Sequence, residues 1–374
     1  MAWLCLFSAG CDNNLTSPTC HSTPQRVVEE ISSGRYRGVT LAREAETLYA
    51  LWSRPEGSFI RALSNSGDPA GAVIRWGPSC PGGMDALDGS PLVVACATSG
   101  SSAQAKAGRL LVFRLNHGER ESRSYAVATL DGHGEGVSIA QYQSSYVVAW
   151  HTASEGRGEA WRSVLTPDLQ TATPPVRLSS ARVSAGPPEV FAHNGDLFVT
   201  WAESWLRSGR NAGHVVVQRN EEMPQTVANT RFGFPRPQLL NDSEGLIVAF
   251  RDQRRPYPQA GLYLGRINNQ LRPLGDPRRS GRADGRGSPS IQRCGETLFT
   301  ASPRTWAEDH IIGIGLLTPE FRPITPERQV YEDEHRFNDV TAICEGDDLL
   351  VLAAEEWTVE HPTARLITVK IGWN

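Results

Sequence analysis

The sequence predicts an all-β protein, a single seven-bladed β-propeller, and three observations carry the prediction. The 374 residues include 35 Gly and 25 Pro, which interrupt the chain too often for long helices, with 10 Trp against only 3 Met. Seven short apolar strands recur, ending at Trp52, Cys96, Trp150, Trp201, Phe250, Ser302 and Ala354, at intervals of 44, 54, 51, 49, 52 and 52 residues. Each stands second in a unit of short strands, and four antiparallel strands repeating every ~50 residues make a propeller blade. Six blades is the alternative count.

The first strand of a unit leads through a tight turn into the second, as in PEVFAHNGDLFVTW and DVTAICEGDDLLVLAA. The second strand (LYALW, LVVAC, YVVAW, LFVTW, LIVAF, LFTAS, LVLAA) is nearly continuous in apolar residues. That pattern suits a strand buried on both faces, with its terminal aromatic wedged between adjacent blades. The third strand alternates more (GRLLVFRLN, HVVVQRN, GLYLGRIN, ARLITVKI) and belongs further from the axis. A weaker fourth strand closes most units: GAVIRW, SYAVATL, PPVRLSS, ERQVYED. The last unit stops after its third strand, whereas residues 25–32, QRVVEEIS, resemble a fourth strand and precede the first complete unit. An N-terminal strand that completes the last blade would close the ring and hide its edge. The propeller domain is therefore placed at residues 25–374.

Net charge is −4, which gives no field to draw the chain to nucleic acid. The first eleven residues, MAWLCLFSAGC, are apolar and end in a small-residue run before Cys11. They resemble the tail of a bacterial lipoprotein signal peptide, although Ser8 stands where Leu is usual and no Lys or Arg precedes the apolar run. The resemblance implies lipidation of Cys11, with the polar residues 12–24 as a tether, and an exported protein in the cell envelope. No other run is long enough to span a bilayer, so membrane contact is expected only through that anchor. The cysteines form no CxxC and no Cys/His metal spacing, so neither a metal nor a cofactor is expected. Cys294 and Cys344 share one repeat position in blades six and seven, and Cys80 and Cys96 flank the first strand of blade two. Either two disulfides or buried free thiols fit that spacing. Cys20 stays in the tether.

The unit VAFRDQR…GLYLGRI resembles the repeats of secreted and lipid-anchored bacterial propellers with VAW-type blades, and more distantly those of sialidase-like propellers. In such a fold the ends of the second strands and the starts of the first strands form the mouth of the central funnel. At the second-strand ends lie Arg54, His151, Glu203, Arg251, Asp252, Arg304, Glu355 and Glu356; at the first-strand starts lie Asp85, Glu189, Arg236 and Asp339. Arg54, Arg236, Arg251 and Arg304 suit bidentate binding of a carboxylate. Glu189, Glu203 and Asp252 are the carboxylates that acid–base cleavage of a glycoside would use. Three features depart from the sialidase pattern: no S-x-D-x-G-x-T-W box, no R-I-P motif, and no evident nucleophilic Tyr/Glu pair in the late blades. The bland reading of the funnel charges is that they pair with one another and satisfy strand ends. The balance favours a monomeric binding or scaffolding module for a glycan, peptide or partner protein, with a sialidase-like glycoside hydrolase as the alternative.

Overall fold

The computed structural model describes residues 20–22, 25–31, 36–98, 108–116, 123–130, 133–154, 157–207, 210–230, 236–252, 261–281, 289–304, 310–324, 328–333, 336–356 and 363–373. They form seven antiparallel sheets, the blades of a seven-bladed propeller, and no helix occurs among them. The innermost strands are Arg37–Glu44, Met84–Leu87, His133–Tyr142, Glu189–His193, Gln238–Asp242, Ser290–Cys294 and Arg336–Glu345. The second strands follow at Thr47–Arg54, Leu92–Thr98, Ser145–Ser154, Asp196–Arg207, Gly245–Asp252, Thr297–Arg304 and Asp348–Glu356. Blades four and five also have fourth strands, Gln225–Thr230 and Arg278–Gly281.

Blade seven takes its outer strand from the N-terminus, since Arg26–Ile31 pairs antiparallel with the strand Ala364–Trp373. Cys20–Ser22 pairs with the end of the same strand, so the segment expected to be pure tether already belongs to the sheet at Cys20. The N-terminal strand is tied onto blade one by charge. Arg54 lies 3.3 Å from Glu29, Arg61 donates to the Val28 carbonyl, and Arg26 pairs with Asp68.

The apolar core is divided among seven clusters, one at each seam between neighbouring blades. Alternation along the second strand explains why those strands are apolar throughout. In blade one Leu48, Ala50 and Trp52 pack toward blade seven, while Tyr49 and Leu51 pack toward blade two. The terminal aromatics Trp52, Trp150, Trp201 and Phe250 all face the preceding blade. Blade seven corrects the sequence alignment by one residue. Ala354 pairs with Asp339 as Ala249 pairs with Gln238 and Thr200 with Glu189, so Glu355, not Ala354, holds the aromatic position. That carboxylate is fully buried, and Arg365 binds it through its backbone N–H and both arms of its guanidinium, at 2.8–3.1 Å.

On the face away from the funnel mouth, three arginines clasp successive blades. Arg114, Arg219 and Arg266 lie opposite Val93, Phe198 and Ile247, the same position in blades two, four and five. Each donates to a backbone carbonyl in the next blade, that of Pro167, Asn269 or Pro319. These carbonyls sit in turns whose Leu169, Leu271 and Phe321 have φ of 63°, 59° and 64°. Bulky residues are strained there, and burial of all three side chains opposes the strain. Blade one has Gly67 in the corresponding turn.

Candidate functional site

The seven innermost strands enclose an axial pocket of about 850 Å³. The first-strand residues expected at the mouth line it: Asp85 from blade two, Glu189 from blade four, Arg236 from blade five and Asp339 from blade seven. Ser138, Gln238 and Gln292 add neutral hydrogen-bonding groups, and Gly82, Gly136 and Pro187 stand at the rim. Glycine is required there for space. A Cβ on Gly82 would lie 2.1 Å from the Gly134 carbonyl oxygen, and one on Gly136 would lie 2.4 Å from Pro187.

The carboxylates act first as struts between blades. The Val39 N–H donates to Asp339 Oδ2 at 3.2 Å, the Ile139 N–H to Asp85 Oδ2 at 3.0 Å, and the Leu239 N–H to Glu189 Oε1 at 3.1 Å. Two neutral residues do the same work in the intervening seams. Ser138 Oγ accepts the Val190 N–H at 3.2 Å, and Gln238 Oε1 accepts the Ile291 N–H at 3.0 Å. The second oxygens of Asp85 and Asp339 accept the N–H groups of Ala86 and Val340.

Burial dominates the electrostatics. Desolvation pushes Glu189 up to about 7 and Asp339 up to about 6, and it raises Asp85 as well. The Arg236 guanidinium opposes the rise at all three, so it is the shared counter-charge of the pocket. Arg236 reaches past blade four to donate to the Val137 carbonyl of blade three at 3.0 Å. Its Nε is buried without a hydrogen-bond acceptor.

The residues at the second-strand ends do not join this group. Glu203 is absent from the pocket lining and accepts from Trp201 Nε1 and His214 Nε2, both at 3.0 Å. Burial pushes its carboxyl up, but those hydrogen bonds outweigh it and hold the group below its ordinary value. Glu203 thus lies outside the pocket that Glu189 lines, so the two do not form the carboxylate pair of a glycosidase site there. Arg54 is engaged by Glu29 and lies 4.0 Å over the Phe59 ring. His151 is buried where a Cβ on Gly158 would lie 2.4 Å from its Nε2. Arg251 is half-buried opposite Leu262, and Asp252 is fully buried opposite Gly261. Arg304 and Glu356 end their strands opposite Ile311 and Arg336, with side chains outside the described residues. Cys11 also lies outside them. Disulfides join Cys80 to Cys96 and Cys294 to Cys344, each with a Cα–Cα distance of 5.4 Å. No cluster of three metal-binding side chains occurs among the described residues.

Two signals in the sequence separate the two groups. Residues two places beyond the wedge aromatic share its side of the strand, so Arg54, Glu203 and Asp252 point into seams rather than the funnel. The strut position, recurring as Asp85, Ser138, Glu189, Gln238 and Asp339, is variable in chemistry but always a hydrogen-bond acceptor.

No family model matches the chain, and no curated protein does. Similar solved structures include the subtype N11 neuraminidase-like protein of influenza A/flat-faced bat/Peru/033/2010, 11% identical, with a TM-score of 0.50 and coverage of 96% of this chain and 94% of that one. A neuraminidase-like protein from A/bat/Guatemala/164/2009 is 9% identical, with a TM-score of 0.50 over 92% of this chain and 94% of its own. Trypanosoma rangeli sialidase in complex with sialic acid is 10% identical, with a TM-score of 0.49, covering 90% of this chain but 54% of that one. The likeness is one of fold alone.

Proposed function

We propose that this propeller is a binding module that seats its ligand in the axial pocket, rather than a glycoside hydrolase. One observation carries the reading: Glu203, Arg54 and Glu189 are each committed to partners within the fold. Glu203 is fixed by Trp201 and His214, Arg54 by Glu29, and Glu189 by the Leu239 N–H. The arginine group expected from Arg54, Arg236, Arg251 and Arg304 is not gathered in the described pocket lining. The described pocket lining offers Arg236, with Arg37 exposed beside it. Fold likeness to sialidases supports the glycosidase alternative only weakly, because one fold hosts many activities.

The two disulfides support an oxidising compartment. We propose further, from the resemblance of residues 1–11 to a lipoprotein signal peptide, that the protein is exported to the cell envelope with a lipid on Cys11. The test is a turnover assay of the purified protein on a panel of aryl glycosides that includes a sialoside, with Glu189→Gln and Arg236→Ala alongside. The reading expects no turnover on any substrate. Turnover lost in both variants would make the pocket an active site and overturn the proposal.

A further inference from the structure

The strut position does not bridge every seam. Thr40 and Ser290 hold it in blades one and six, opposite Leu51 and Ala301 as Asp85 stands opposite Ala95. In the next blades, the N–H groups of Ala86 and Val340 take the place that Ile139 and Val190 have elsewhere. They donate instead to the carboxylates of Asp85 and Asp339 on their own strands, at 3.0 and 3.1 Å. Between blades one and two the Arg43 N–H donates to Asp88 Oδ1 at 2.7 Å, and the Gly89 N–H to the Arg43 carbonyl at 2.9 Å. Between blades six and seven the tie on the inner strands is covalent, the disulfide of Cys294 with Cys344.

The two disulfides differ in access. Cys80 and Cys96 are both fully buried. Cys294 is buried too, but its partner Cys344 is half-buried near the end of its strand. The turn that follows is exposed, and a Cβ added to Gly346 would meet nothing within 4 Å. The neighbouring turn of blade six is exposed at Gly295 and Glu296. Thiol–disulfide exchange starts with a thiolate reaching one sulfur, so access decides which disulfide exchanges in the folded protein.

We propose that Cys344 is a thiol–disulfide exchange site, through which a dithiol unlocks the seam between blades six and seven and leaves the other seams closed. A thiolate of the dithiol attacks Cys344 Sγ, the S–S bond breaks, and Cys294 leaves as a thiolate that takes up a proton. The second thiol of the dithiol then attacks its own sulfur in the mixed disulfide, which releases Cys344 and oxidises the reagent. Two electrons and two protons pass from the dithiol to the cysteine pair. The freed seam keeps its apolar packing around Ile314, Phe337 and Val340, but among the described residues no strut remains on its inner strands. Ser290 and Gln292 on one side of it, and Val340 and Thr341 on the other, line the axial pocket, so the exchange acts on the pocket wall.

The test uses the native full chain with its free thiols first blocked by iodoacetamide. Dithiothreitol is added at pH 8 for timed intervals, new thiols are trapped with N-ethylmaleimide, and the labelled peptides are mapped by mass. Cys294 and Cys344 are expected to take the label at least about tenfold faster than Cys80 and Cys96. With 2-mercaptoethanol in place of the dithiol, the first adduct is expected on Cys344. Hydrogen exchange of the selectively reduced protein should quicken in Ser290–Cys294 and Arg336–Glu345 and stay unchanged in Glu189–His193. Label on Cys80 and Cys96 as fast as on the other pair, or none on Cys294 and Cys344, would overturn the proposal. So would a first adduct on Cys294, or hydrogen exchange that quickens in every blade or in none.

Discussion

Glu189 of blade four and Leu239 of blade five are joined across their seam, the Leu239 N–H donating to Glu189 Oε1 at 3.1 Å. One seam further on, Gln238 makes the corresponding bond to Ile291 at 3.0 Å with an uncharged amide. Charge and strut can therefore be separated by substitution. Gln238→Glu keeps the acceptor and adds a fourth carboxylate at the strut position, after Asp85, Glu189 and Asp339. It is expected to fold with wild-type stability at pH 5 and to lose about 1–2 kcal/mol at pH 8, read by urea unfolding at both pH values.

The pH dependence of the wild-type fold follows from the same groups. In the unfolded chain Glu189 and Asp339 titrate near their ordinary values of 4.5 and 3.8; in the fold they titrate near 7 and 6. Between those values the folded state holds protons that the unfolded state has lost, so stability falls as pH rises from about 4 to about 7. The loss should be on the order of 4 kcal/mol between pH 5 and pH 8, visible as a lower urea midpoint. The double variant Glu189→Gln with Asp339→Asn should flatten the profile in that range. At more acid pH the sign reverses, because Glu203 and Asp196 are held below their ordinary values and their stabilisation is lost as they protonate.

Arg266 does three things at once. Its Nε pairs with Asp242 at 2.5 Å, its Nη2 donates to the Pro319 carbonyl at 2.6 Å, and its guanidinium lies 4.9 Å from the Phe321 ring centre. Asp242 is almost fully buried and shares its charge between Arg266 and Arg293. Arg266→Ala should cost about 2–3 kcal/mol, leaving a buried carboxylate half-compensated. Arg266→Lys should recover less than half, since a single ammonium cannot reach both acceptors as the fork does.

The two disulfides should differ in worth. Cys294 and Cys344 close a loop across 50 residues of sequence and join blades six and seven, whereas Cys80 and Cys96 are 16 residues apart within blade two. Loop-closure entropy gives about 4 kcal/mol for the first and about 3 for the second. Paired Cys→Ser variants, compared by urea unfolding, should fall in that order.

The architecture was legible because the second strands must be apolar on both faces, and that requirement writes LYALW, YVVAW and LIVAF at a fixed period. The closing strand was legible for the same reason, since Val28 and Ile31 are buried against neighbouring blades. The fourth strands of blades four and five were not. QTVANT and RRSG lie at the propeller's outer edge, where burial makes little demand on side chains. In blade seven the wedge aromatic is replaced by Glu355 with Arg365, and a buried ion pair leaves no apolar mark to align on. The site divided in the same way. Asp85, Glu189, Arg236 and Asp339 were recognisable by register, while Arg54 and Glu203 were assigned to the mouth although their side of the strand turns them into seams. The strut position leaves little mark in the sequence because Ser, Gln, Asp and Glu share only an acceptor oxygen.

The most direct test of the central claim, that the axial charge is surplus to the fold and available to a ligand, is the stability of Glu189→Gln and Glu189→Ala beside wild type at pH 8. The amide should be at least as stable as wild type and about 1–2 kcal/mol more stable than the alanine variant, which leaves the Leu239 N–H without its acceptor. If Glu189→Gln instead falls below wild type and no higher than Glu189→Ala, the carboxylate charge itself holds the blades together, and the case for a ligand to use it is lost.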